Sequence, residues 1–178
     1  MAGRLSSGIL LYRVTAGEGL EVLIAHMGGP LWERRDRGAW SIPKGEHDPG
    51  EDGLTAARRE FEEELGFAPP RGELVDLGTL RQPSGKRVHV WAAPGDIDAR
   101  RARSTTFRME WPRGSGRMGE FPEVDRAAWF DVATAREKLV SGQVPFLDRL
   151  MAALAPGGAT RPDPPGVATP ATRGRPPR

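Results

Sequence analysis

Glu60, Glu63 and Glu64 stand at spacings i, i+3 and i+4 in the segment GEHDPGEDGLTAARREFEEELGF, residues 45–67. On a helix that spacing gathers all three carboxylates within an arc of roughly 100°. Leu54, Ala57, Phe61 and Leu65 fall on a separate apolar stripe suited to a core. Acids one turn apart repel, at a cost of roughly a few tenths of a kcal/mol per pair. A run of this kind is either a solvated surface face, the common fate of charge blocks, or a site for a hard divalent cation. The chain has no cysteine, and its three histidines show no ligand or nucleophile spacing. Oxygen-only donors favour Mg2+ or Mn2+ over zinc. Such cations bridge phosphate oxygens and acidify water, so the matching chemistry is attack by water on a phosphorus of a diphosphate chain.

The flanking residues suit that purpose. Gly45 and Gly50 allow a tight loop, and Glu51 or Asp52 can cap the helix and favour its positive end. Gly66 stands where a helix ends in a left-handed residue. Arg59 offers a rigid fork to hold a neighbouring carboxylate, and Glu62 points to the opposite side. Gly45-x4-Gly50 is followed by Glu51 and not by Lys-Ser/Thr, which excludes a P-loop.

The segment fits G-x5-E-x7-R-E-U-x-E-E-x-G-U, with U apolar, at every fixed position: Gly45, Glu51, Arg59, Glu60, Phe61, Glu63, Glu64, Gly66 and Phe67. On these residues the chain resembles the Nudix hydrolases. The resemblance implies an α/β (α+β) fold, an α/β/α sandwich with a mixed sheet, over roughly residues 7–154. It also implies Mg2+- or Mn2+-dependent hydrolysis of a nucleoside diphosphate linked to another group. By the same resemblance Glu60, Glu63 and Glu64 hold the metal, Arg59 orients the acids, and the carbonyl of Lys44 adds a ligand. A carboxylate outside the helix often completes such sites. Glu123 is the choice, because Glu123-x5-Trp129 is similar to an element of several members, and Glu120 is the competitor.

Trp40-Ser41-Ile42-Pro43-Lys44-Gly45 looks like the entry to this box in members acting on dinucleoside polyphosphates and on inositol diphosphates. Lys44 would then sit beside the phosphates as a point charge. Lys86 and Arg87 are candidates for distal phosphates, and Trp32 or Trp111 for stacking on a base. A lone tryptophan of this kind is more often a core residue than a stacking platform. His47 is close enough to the phosphates to assist, and His89 lies on a strand facing solvent. The preferred substrate is a dinucleoside polyphosphate, then a nucleoside triphosphate. ADP-ribose, nucleotide sugars and RNA 5′ ends are alternatives, and otherwise no nucleic-acid partner is expected. A nucleotide-sensing module without catalysis is the competing class, but it would be expected to have lost a signature acid, and none is lost.

Positioning these residues requires strands around one helix. Residues 7–13 and 20–26 read as a hairpin, 39–42 as a short strand delivering the chain to Pro43-Lys44-Gly45, and 52–65 as the signature helix. Strands follow over 73–81, 87–93, 106–111 and 126–130, with 113–120 a glycine-rich loop. Helices are expected over 132–139, capped by Asp131, and from Pro145 to 154. The 178 residues suit one domain, residues 1–155. Residues 156–178, rich in Pro, Gly and Arg, carry almost no large apolar side chain and read as a disordered tail. A net charge of +2, from 26 basic and 24 acidic residues, argues weakly for any polyanionic partner. No apolar run reaches the ~18 residues that span a bilayer. With no signal-peptide pattern at Met1-Ala2-Gly3-Arg4, the expected location is the cytoplasm.

Overall fold

The structure, a computed structural model, describes residues 5–17 and 19–157. Strands β1 (Leu5–Thr15) and β2 (Gly19–Met27) pair antiparallel, with Thr15 opposite Gly19. Their alternating side chains divide the core. Ile9, Leu11, Leu23 and Ala25 pack on one side with Ala57, Phe61 and Leu65 of helix α1 (Gly53–Leu65). Leu10, Val22 and Ile24 pack on the other with Ala135, Phe146, Leu147 and Leu150. Ala135 belongs to α2 (Val132–Lys138) and the other three to α3 (Pro145–Leu154). The period of two in the strands therefore builds both faces of a sandwich, helices outside and sheet within.

The sheet has seven strands. β3 (Trp40–Ser41), β2, β1, β6 (Arg87–Pro94) and β5 (Val75–Arg81) lie in that order. β4 (Lys44–His47) pairs β1, and β9 (Val124–Asp131) pairs β2. β1 and β6 run parallel and every other pairing is antiparallel, so the sheet is mixed. A separate ribbon joins β7 (Thr106–Glu110) to β8 (Met118–Pro122).

Helix α1 starts and stops where its sequence says. The Asp52 carboxylate accepts from the Thr55 amide at 2.9 Å, and Gly66 adopts φ 70° while its amide donates to the Glu62 carbonyl. A side chain at Gly66 would be strained in that left-handed conformation. Phe61 is wholly buried and is worth about 2–3 kcal/mol relative to exposure.

Two expectations need correction. Lys44 and Gly45 were expected in a loop, yet they begin β4, with Gly45 opposite Ser7 and Lys44 opposite Gly8. The loop expected over 113–120 ends earlier, because Met118, Gly119 and Glu120 pair with Glu110, Met109 and Arg108. β4 is stabilised by a partner distant in sequence, β1, and β8 by its hairpin neighbour β7, neither by local propensity alone. Single 3-10 turns at Ala99–Arg101 and Ser141–Gln143 were not expected. The tail assigned to 156–178 lies, beyond Gly157, outside the described residues.

Candidate active site

Strand β4 runs beneath α1, and the two share the site. Gly45 is glycine for a steric reason: a Cβ there would overlap the Glu60 carboxylate. The Lys44 amide donates to Glu64 Oε2 at 3.0 Å. Arg59 gathers the acids from one side. Its Nη1 donates to Glu60 Oε1 at 2.6 Å and Glu63 Oε2 at 3.4 Å, while Nε and Nη2 reach the two Glu51 oxygens at 3.3 Å. Hydrogen bonds to Glu51 and Glu60 hold the guanidinium firmly in its charged form against its partial burial.

Burial works against the acids. It pushes the Glu64 carboxyl up to about 7, even though the Lys44 charge and amide pull the other way. Burial also raises the Glu60 carboxyl, opposed by Arg59 and assisted by the charges of Glu63 and Glu123. The same desolvation lowers the Lys44 ammonium despite the attraction of Glu64. The site thus holds more negative charge than its two cations neutralise.

These residues line an open cleft of about 440 Å3. Lys44, Gly45, Glu46, Glu60, Glu63 and Glu64 form one wall; Met27, Gly28, Trp32, Phe107 and Glu123 form the other. Glu123 is brought to the cleft just before β9, where its Oε2 accepts from Thr105 Oγ1 at 3.3 Å. Glu120 is not brought there: it sits on β8 and accepts from Thr106 Oγ1 at 2.5 Å. Lys86 stands at the margin, its Nζ 2.8 Å from Glu46 Oε1. Arg87 is exposed at the start of β6 and, like Trp111, does not line the cleft. Trp32 lines it, with the Arg35 guanidinium 5.4 Å from its ring centre. His47 is committed elsewhere, to the buried Ser7 hydroxyl at 2.8 Å. His89 lies between Asp76 and Thr79 and stacks on Trp91.

Met27, Gly28, Glu46 and Phe107 were not singled out in the sequence. Alternation along β7 could have marked Phe107 as facing opposite to Arg108. Nothing local connects Met27 or Gly28 to Glu123, whose carbonyl accepts from the Gly28 amide at 2.9 Å. A larger groove of about 630 Å3 lies along Arg13, Asp96, Asp98, Arg100 and Trp129. Its charges pair among themselves and with Glu21, so it lacks the acid excess of the cleft.

Among the described residues no three Asp, Glu or His side chains already converge as a ligand set. The donors nevertheless suit a hard cation. Glu60, Glu63 and Glu64 are each held through one carboxylate oxygen, Oε1, Oε2 and Oε2 respectively, leaving each with a second oxygen to offer.

The NUDIX domain family matches residues 4–150. The chain belongs to the Nudix family. It is a Nudix hydrolase, 30% identical over 157 residues to the RNA pyrophosphohydrolase of Rhodospirillum rubrum, covering 85% of this chain and 92% of that protein. It is 35% identical over 101 residues to the 8-oxo-(d)GTP phosphatase of Mycolicibacterium smegmatis, covering 56% of this chain but only 26% of that longer protein. In fold, this Nudix hydrolase is similar to a C. elegans Ap4A hydrolase binary complex (TM-score 0.60, 24% identity, 84% of this chain and 98% of that one). It is also similar to the NUDIX domain of Shewanella oneidensis NrtR complexed with ADP ribose (TM-score 0.58, 16% identity, 87% and 90%). Among the described residues no helix is long and apolar enough to cross a membrane.

Proposed function

We propose that this Nudix hydrolase cleaves, with Mg2+ or Mn2+, a phosphoanhydride bond in the 5′-polyphosphate chain of a nucleotide that carries a further group. The observation that carries the reading is the meeting of Glu60, Glu63, Glu64 and Glu123 in one open cleft beside Lys44. Glu60, Glu63, Glu64 and the Lys44 carbonyl would hold the cation, with Glu123 across the cleft from them. When bound, the cation neutralises phosphate charge and acidifies water. Arg59 orients Glu60 and Glu63, and Glu51 keeps Arg59 in place. Lys44 places a positive charge against the phosphates, and Glu123 takes the proton from the attacking water. Lys86 meets the distal end of a long chain by exchanging Glu46 for phosphate, and Trp32 stacks on a base.

The substrate proposed first is a dinucleoside polyphosphate, with nucleoside triphosphates second, as Trp40 to Gly45 and the Lys44–Lys86 pair suggest. A second reading, 5′-triphosphorylated RNA, is favoured by the named activity of the Rhodospirillum relative over nearly its whole length. The test is hydrolysis of a panel with Mg2+ and with chelator, products resolved. Dinucleoside polyphosphates, nucleoside triphosphates, 8-oxo-dGTP, ADP-ribose, nucleotide sugars and 5′-triphosphate RNA form the panel. Metal-dependent release from the first class at the highest kcat/KM is expected. A clear preference for RNA selects the second reading, and no metal-dependent turnover of any member refutes both.

A further inference from the structure

His26 is the one histidine with no exposed surface, and it joins two segments that line the cleft opposite the helix acids. Its Nδ1 lies 2.8 Å from Asp125 Oδ1 on β9, two residues after Glu123. Its Nε2 lies 2.7 Å from the Arg35 carbonyl, inside the loop that carries Trp32. A carbonyl oxygen has no hydrogen to give, so the ring donates to Arg35 from Nε2, while Nδ1 stands within hydrogen-bond distance of the Asp125 carboxylate. The bond to Arg35 reaches Trp32 through the backbone. The Arg35 amide donates to the Trp32 carbonyl at 2.8 Å, and the Trp32 amide to the Gly29 carbonyl at 3.1 Å. The bond to Asp125 lies where the β2–β9 register shifts, between His26 and Met27, and there the Gly28 amide holds the Glu123 carbonyl. The Trp40 ring meets the imidazole in a T-shaped pair, centroids 5.2 Å apart.

We propose that His26 is a positioning residue for the reaction: its two hydrogen-bond contacts hold the Trp32 loop and the Glu123 segment, which line the same side of the cleft, at a fixed separation. It touches no reacting atom and acts through its two partners. The inference rests on the cleft being the active site, as proposed above. Because the two nitrogens meet different segments, their roles are separable. Asn places an amide nitrogen near the Nδ1 position, and Gln places one near Nε2. His26→Asn therefore keeps the link to Asp125 and releases the loop, whereas His26→Gln keeps the loop and releases Asp125.

The experiment is steady-state kinetics and amide hydrogen exchange on the full chain. His26→Asn is expected to raise KM about fivefold or more with kcat within about twofold, since Trp32 serves binding. Exchange at the Trp32, Arg35 and Ala39 amides should accelerate about tenfold in that variant. His26→Gln is expected to lower kcat about fivefold or more with a smaller change in KM, while loop exchange stays as in the wild type. Equal kinetic effects of the two variants, or unchanged loop exchange in His26→Asn, would overturn the proposal. If neither variant folds, Asp125→Ala at its more exposed position gives the same answer for the β9 side. It should lower kcat by a similar factor with KM little changed, and an unchanged kcat would overturn the proposal. If the wild type hydrolyses nothing on the panel, the functional reading fails, while the exchange data still decide whether His26 holds the loop.

Discussion

Replacing Glu64 with Gln should stabilise the metal-free protein at alkaline pH while abolishing its activity. The Glu64 carboxyl is raised from 4.5 to about 7, with burial the largest cause. Between those values the folded protein keeps the proton that the unfolded chain has lost. The unfolded state is therefore favoured increasingly as pH rises from 4.5 through 7, after which the penalty is constant. The full displacement corresponds to about 3 kcal/mol. Gln still accepts from the Lys44 amide but removes the charge that offsets burial of the Lys44 ammonium, so a net gain of about 1–2 kcal/mol is expected. For a domain of this size that is roughly 3–6 °C in Tm. Thermal unfolding in chelator at pH 5 and pH 8.5 measures it. The two proteins should melt nearly together at pH 5, and the Gln variant should melt higher at pH 8.5. Saturating Mg2+ should reverse the order, because it binds the native carboxylate and stabilises only the protein that has it. Turnover of the variant should fall by about 10² or more. A Gln variant less stable than wild type at pH 8.5 without metal would refute the argument that this carboxylate is held at the expense of stability.

Glu123→Gln should cut turnover about tenfold or more with little change in KM, and Glu120→Gln should do much less; the reverse ranking would move the role to Glu120. Gly45→Ala should lower activity about tenfold or more, because its Cβ displaces the Glu60 carboxylate, and kinetics beside a melting scan would separate this from unfolding. Lys86→Ala should raise KM more for a long phosphate chain than for a short one, and an equal rise for both would remove Lys86 from the binding of distal phosphates. Removing residues 158–178 should leave Tm and turnover within error, given their lack of large apolar side chains; a loss of several degrees would assign the tail a structural role.

Helix α1 and the grouping of its acids were legible in the sequence because helical information is local. The caps at Asp52 and Gly66 and the shared face of Glu60, Glu63 and Glu64 depend on residues within about four positions of one another. The apolar run through Ile9, Leu10 and Leu11 likewise read as a strand, though only the structure shows its alternate side chains entering two cores. Arg59 stood beside its acids in the chain, so its role in gathering them could be read directly. What the chain could not state by itself was which distant segments meet. Glu120 and Glu123 are both acids near the glycine-rich loop. Only the pairing of β8 with β7 turns Glu120 to Thr106, while Gly28 draws Glu123 into the cleft. Lys44 looked like part of a loop until β1 supplied its partner Gly8, and Phe107 had no visible link to Trp32. His26 is the clearest case, since Asp125 lies 99 residues from it in the chain. Sheet pairing and burial join residues at separations that no local spacing encodes, so the tertiary structure alone decided the second wall of the cleft and what holds it in place.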